Sequence, residues 1–133
     1  MADSKISTYQ YRIASWVVST FGKAILDDRI ERAFRVLEEA CELAQSVGVT
    51  STEAHRIVDY VWSRPAGYVR QEIAGTIVTT LAFAASVGED AESELAEEVD
   101  RIERPEIVEK CRRRQSEKAA ALVARKPEVE EKR

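Results

Sequence analysis

A chain of 133 residues, 33% of them charged and only 7% aromatic, is long enough to form one domain with a core. Its net charge of −4 gives no general attraction to nucleic acid or to an anionic membrane surface. Two cysteines, Cys41 and Cys111, lack metal-type spacing and argue against a disulfide scaffold, which favours a reduced, cytoplasmic setting.

Few glycines and prolines among long Ala-, Glu- and Arg-rich runs predict an all-α protein. The N-terminus MADSKISTYQ lacks the basic-then-apolar pattern of a signal peptide. Residues 1–5 are expected to precede the first helix. From Ile6, the positions Ile6, Tyr9, Ile13, Trp16, Val17 and Phe21 follow a helical period, and Gly22 closes it. Asp27 or Asp28 caps a second predicted helix that runs to about Val47, with Ile30, Phe34, Leu37, Cys41 and Ala44 as its apolar stripe. Thr50 and Glu53 have capping-box spacing for a short helix over residues 52–63. The run Arg64-Pro65-Ala66-Gly67 breaks the chain.

The next predicted helix, Tyr68 to Val87, is apolar nearly all round, a pattern that marks a buried helix. Its uncharged run, Ile73 to Gly88, falls short of the roughly 20 apolar residues of a membrane span. Asp90 or Ser93 starts an acidic helix through Ile102. Pro105 suits the first turn of a last helix, Glu106 to about Ala121. The expectation is one helical bundle of five to six helices over residues 1–124, followed by a charged, disordered tail over 125–133. So apolar a helix in so small a chain also predicts burial against a partner, as a homodimer or homotetramer.

The chemistry concentrates in ERAFRVLEEACELAQ, residues 31–45. Glu38, Glu39 and Glu42 lie three or four residues apart or side by side, so their carboxylates share one side of a helix. Such a cluster is either solvated or held by a cation. Hard cations such as Mg²⁺ take oxygen ligands, often a few carboxylates with water and substrate phosphates. Glu72, the sole charge between Arg70 and Glu89, would carry a heavy desolvation cost on a buried helix unless paired with an arginine or bound to a metal. Acids on two facing helices are a known way to build a metal site in a bundle.

The wording L-E-E-A-C-E-L-A, followed later by Q-E-I-A-G-T-I-V, resembles the two motifs of the MazG-like, all-α nucleoside triphosphate pyrophosphohydrolases. EAHRIVDYVWSRPAGYVRQE and RPEIVEKCRRRQ resemble a phage-type subgroup in particular. The resemblance covers about residues 16–118. It implies Mg²⁺, or Mn²⁺, held by Glu39, Glu42 and Glu72. The implied reaction cleaves a ribo- or deoxyribonucleoside triphosphate to the monophosphate and pyrophosphate. Glu38 is then the candidate for orienting or deprotonating the attacking water. The last acid of the second motif falls on Gly75, so a fourth oxygen would come from Glu38, Asp59, Thr76 or water. Glycine inside a helix costs about 0.5–1 kcal/mol relative to alanine, so Gly75 implies close packing or room for a ligand. His55, the single histidine, and Asp59 are brought near the site or near a partner subunit by the inserted helix.

Phosphate binding needs cations. Arg35 and Arg70 stand beside the acids, and Lys110 and Arg114 belong to the densest basic run, which otherwise reads as a solvated face. Trp16 with Phe21, or Tyr60 with Trp62, could stack on a base or fill a core. No serine or cysteine stands in a nucleophile setting, and no glycine-rich phosphate loop is present. The alternative to hydrolysis is an inactive relative that binds nucleotides or regulates as an oligomer, with no small ligand at all as a further rival.

Overall fold

The computed structural model describes residues 5–124. The chain is all-helical, with seven helices among the described residues and no strand there. In order these are α1 (Lys5–Phe21), α2 (Lys23–Asp27), α3 (Arg29–Ser46), α4 (Ser51–Trp62), α5 (Val69–Val87), α6 (Ala91–Ile102) and α7 (Pro105–Ala124). The first helix already includes Lys5, and the last extends past the expected Ala121. Residues 1–4 and the expected tail, 125–133, lie outside the described residues.

The boundaries follow from local chemistry. Gly22, with φ 93°, ends α1 as expected, but the chain re-enters a helix at once, and α2 is the element the pattern missed. Only glycine takes that left-handed conformation without strain. Asp28 caps α3, its Oδ1 accepting from the amides of Ile30 (3.1 Å) and Glu31 (3.0 Å). Asp90 does the same for α6 through the Ser93 amide at 2.8 Å. Pro105 occupies the first position of α7, where its missing N–H leaves no bond unmade.

The capping box of α4 is complete. Thr50 Oγ1 accepts from the Glu53 amide at 3.3 Å, and Glu53 Oε2 accepts from the Thr50 amide at 2.8 Å. Those bonds, from the Thr50 backbone first and its hydroxyl second, hold the Glu53 carboxyl below the usual glutamate range. A carboxyl lowered in the folded state stabilises it fully above the ordinary glutamate range, and that contribution is lost as pH falls through the lowered value. Thr50→Ala is expected to cost about 1 kcal/mol. Thermal melts should show a lower midpoint for the variant at pH 7, with the gap from wild type narrowing in acid. An equal gap at both pH values would count against the linkage.

The chain divides into two units. One, called the terminal unit here, joins the residues up to Asp27 with those from Ala96 onward; the other, the central unit, is Asp28–Leu95. In the terminal unit α1 packs on α2 and on α7. Among the residues whose burial is described, its buried ones are Val17, Thr20 and Val99, the last only 1% exposed. Trp16 Nε1 donates to the Ile102 carbonyl at 2.8 Å, and its ring meets Phe21 edge-on with centroids 5.5 Å apart. Arg12 grips Glu103 through two bonds (2.7 and 3.2 Å) and Asp100 through one (2.9 Å). Both carboxylates hold the Arg12 guanidinium above its ordinary pKa range, so it stays charged at any working pH. Arg112 Nε and Nη2 donate to the carbonyls of Thr20 (2.9 Å) and Ser19 (3.2 Å), which the last turn of α1 leaves unpaired.

The central unit is built differently. None of its residues is buried. Every Val, Ile, Leu, Tyr and Trp from Ile30 to Val87 is exposed, and only Phe83 and Leu95 among its large apolar residues are half-buried. The sequence pattern predicts a buried α5; within one chain α5 buries no residue. Fully covering a Val, Leu or Ile side chain is worth about 1.5–3 kcal/mol, so the uncovered stripes of α3, α4 and α5 hold a large unspent driving force.

Candidate functional site

The motif acids of α3, Glu38, Glu39 and Glu42, occupy its third and fourth turns after the Asp28 cap. Glu38 is held by Arg35, whose Nη1 donates to Glu38 Oε2 at 2.6 Å. Arg35 also lies 3.1 Å from Glu31 Oε1, and Arg32 lies 3.4 Å from the same oxygen. Both arginines keep an Nε that is buried and makes no well-formed hydrogen bond. Arg35 is therefore the middle of an i−4, i+3 ladder along its own helix, with its charge spent on Glu31 and Glu38. It is not a free phosphate-binding cation in this arrangement.

Glu39 and Glu42, on the next positions, are exposed, and among the described residues neither forms an ion pair or hydrogen bond. Two bare carboxylates three residues apart repel each other, and a hard cation removes that repulsion. Glu42 also lines a shallow groove of about 270 Å³ where the last turns of α3 meet the start of α4, together with Cys41, Thr50 and His55. His55 thus does come beside an acid of the motif, although its Nδ1 is already 2.7 Å from the Ser51 carbonyl. Asp59, one turn further along α4, does not line that groove.

Glu72 sits in the first turn of α5 and is exposed. It has no arginine partner among the described residues, so the expected pairing with Arg35, Arg64 or Arg70 is absent there, and so is the desolvation that pairing would offset. Its carboxylate lies against Gly67 in the loop before α5, so close that a side chain at 67 would collide with Glu72 Oε1. The glycine leaves this space to the carboxylate. Arg70 is exposed on the same first turn. At Gly75 an added Cβ would meet nothing within 4 Å, so close packing inside the chain does not explain that glycine. Thr76 Oγ1 donates to the Glu72 carbonyl at 2.8 Å and is committed to its own helix.

The donors suit a hard divalent cation in kind, since Glu39, Glu42 and Glu72 are carboxylates unclaimed by any base. They do not suit it in placement. Among the described residues no three His, Cys, Asp or Glu side chains gather closely enough to hold a metal ion. One chain therefore carries the two halves of the expected donor set apart, on α3 and on α5.

The remaining candidates fall elsewhere. Lys110 and Arg114 lie on α7 in the terminal unit, whereas the acids belong to the central unit. Trp16 and Phe21 are committed to each other, and the Tyr60 ring is covered by Arg64, whose guanidinium carbon is 4.4 Å from the ring centre. Trp62 keeps a free, 73% exposed face. Sequence reasoning missed the joint formed by Arg12, Arg112 and Thr20 on the walls of a groove of about 470 Å³. The signal for it was an arginine on the polar flank of the first helix, but its partners are about ninety residues away and invisible to spacing. Both arginines are spent there on carboxylates or carbonyls, which makes the groove a held joint more than a ready binding site.

No family model, curated protein or solved structure matches this chain. No described helix is long and apolar enough to cross a membrane.

Proposed function

We propose that this protein is a cytoplasmic, Mg²⁺-dependent nucleoside triphosphate pyrophosphohydrolase of the MazG-like, phage-type kind. It would convert a ribo- or deoxyribonucleoside triphosphate and water to the monophosphate and pyrophosphate. The observation that carries the reading is the pair Glu39 and Glu42, two exposed carboxylates on one helix face with no counter-charge among the described residues. The motif wording around them and around Glu72 supports it. The motif wording assigns the metal to Glu39, Glu42 and Glu72, although one chain holds them apart; a bound metal would neutralise phosphate charge and would make water a better nucleophile. Glu38, steadied by Arg35, is the residue assigned to orient that water. Arg70 and Trp62 remain free to meet phosphate and base.

The test is release of pyrophosphate and monophosphate from a panel of NTPs and dNTPs, with Mg²⁺ or Mn²⁺ and with EDTA as control. Metal-dependent release is the expected result, and the preferred base comes with it. Folded protein that releases nothing from any substrate would overturn hydrolysis. It would favour the inactive relative, a reading that Gly75 supports because it places open space where the motif has a carboxylate.

A further inference from the structure

Of the chain's five glycines, three stand where the backbone demands one. Gly22, Gly48 and Gly88 have φ of 93°, 92° and 77°, the left-handed region that other residues enter only with strain. Gly67 and Gly75 lie outside that region, so the backbone does not require glycine at either. Around Gly75 an added Cβ would meet nothing within 4 Å. Gly67 is different. A Cβ there would strike Glu72 Oε1 and stand 3.0 Å from its Cδ and 3.5 Å from its Cγ. The place of the missing side chain is taken by a carboxylate.

The contact is local. Gly67 closes the break before α5, Tyr68 is the N-cap, and Glu72 lies in the first turn with its amide donating to the Tyr68 carbonyl at 3.0 Å. Side chains of a helix lean toward its N-terminus, which carries Glu72 back over the start of its own helix. A negative charge is favoured there by the helix dipole, and Tyr68 supplies no side-chain cap to compete for the place. Among the described residues no hydrogen bond or ion pair holds the carboxylate, so its position is set by the shape of the loop and the end of the helix. A long side chain free in water samples many rotamers, and a ligand that must order it binds more weakly for that reason. A notch that already holds the side chain removes the loss.

We infer that Gly67 is a positioning residue for Glu72: the bare backbone of the loop is a seat that fixes the direction in which α5 presents this carboxylate. The seat stands on residues 67–72 alone. Its purpose, holding a metal ligand ready, rests on the hydrolase reading above.

The test is Gly67→Ala in the full chain. Glu72 is the flexible partner of the contact, so the carboxylate swings aside and the loop stays in place. Alanine also restricts the unfolded chain, so the melting temperature should equal or exceed that of wild type. Side-chain NMR couplings at Glu72, measured without metal or nucleotide, should report one dominant rotamer in wild type and a different or averaged one in the variant. Titrated with Mn²⁺ alone, the variant should bind about tenfold more weakly, as when the support of a metal ligand is removed. Its turnover defect should shrink as Mn²⁺ is raised, whereas that of Glu72→Gln should not.

A lower melting temperature with an unchanged Glu72 rotamer would overturn the inference, because the glycine would then serve the loop alone. Averaged rotamers in wild type would overturn the seat. Wild-type Mn²⁺ affinity in a variant whose Glu72 has moved would overturn the positioning role. A wild-type protein that seats Glu72 yet neither binds Mn²⁺ nor turns over nucleotide would reject the hydrolase reading and uphold the seat.

Discussion

Co-expressing two inactive variants, Glu42→Gln and Glu72→Gln, is expected to restore pyrophosphate release to about a quarter of the wild-type rate. Each variant alone should lose turnover and keep its helical content, because both residues are exposed and unpaired among the described residues. Glutamine keeps the shape and removes the charge a hard cation requires. In a two-fold assembly whose sites draw on α3 of one copy and α5 of the other, a mixed dimer holds one doubly altered site and one intact site. Random pairing makes half of the assemblies mixed, and each contributes half its sites. If all three acids came from a single chain, every site in the mixed dimer would carry one lesion. The co-expressed pair would then be as inactive as either variant alone, and assembly across copies would be rejected for the acids.

The second large effect concerns Val99, the most buried residue described. Val99→Asp is expected to unfold the terminal unit. An unpaired carboxylate taken out of water costs several kcal/mol, a large share of the 5–15 kcal/mol that holds a typical domain. Val99→Ala, which removes methyl groups and leaves a gap, should cost only about 2–3 kcal/mol and remain folded. Circular dichroism and limited proteolysis would separate the two. A Val99→Asp protein with wild-type helicity and protease resistance would mean that α6 can turn this face to water.

The sequence contains these features to different depths. Helices announce themselves by period and punctuation, so Asp28, Thr50 with Glu53, Asp90 and Pro105 all stand where the pattern puts them. The short α2 was hidden because a glycine that ends one helix does not forbid another from starting at once. The three acids of α3 were legible from spacing, and so in principle was the Arg35–Glu38 bond, which joins positions three apart. The all-round apolar character of α5 does say that something must cover it. It cannot say whose side chains do so, and treating α5 as buried, whether by its own chain or by a partner, led to the expectation of a desolvated Glu72. Arg12 and Arg112 show the same limit, because their partners lie at the far end of the chain.

That last separation bears on how the chain is made. Arg12 meets Glu103, Trp16 meets Ile102 and Arg112 meets Ser19 and Thr20, so the terminal unit cannot close until α7 has left the ribosome. Joining ends some ninety residues apart also costs about 4 kcal/mol of loop entropy. α1 and the whole apolar middle of the protein therefore emerge before the residues of α6 and α7 that close the terminal unit.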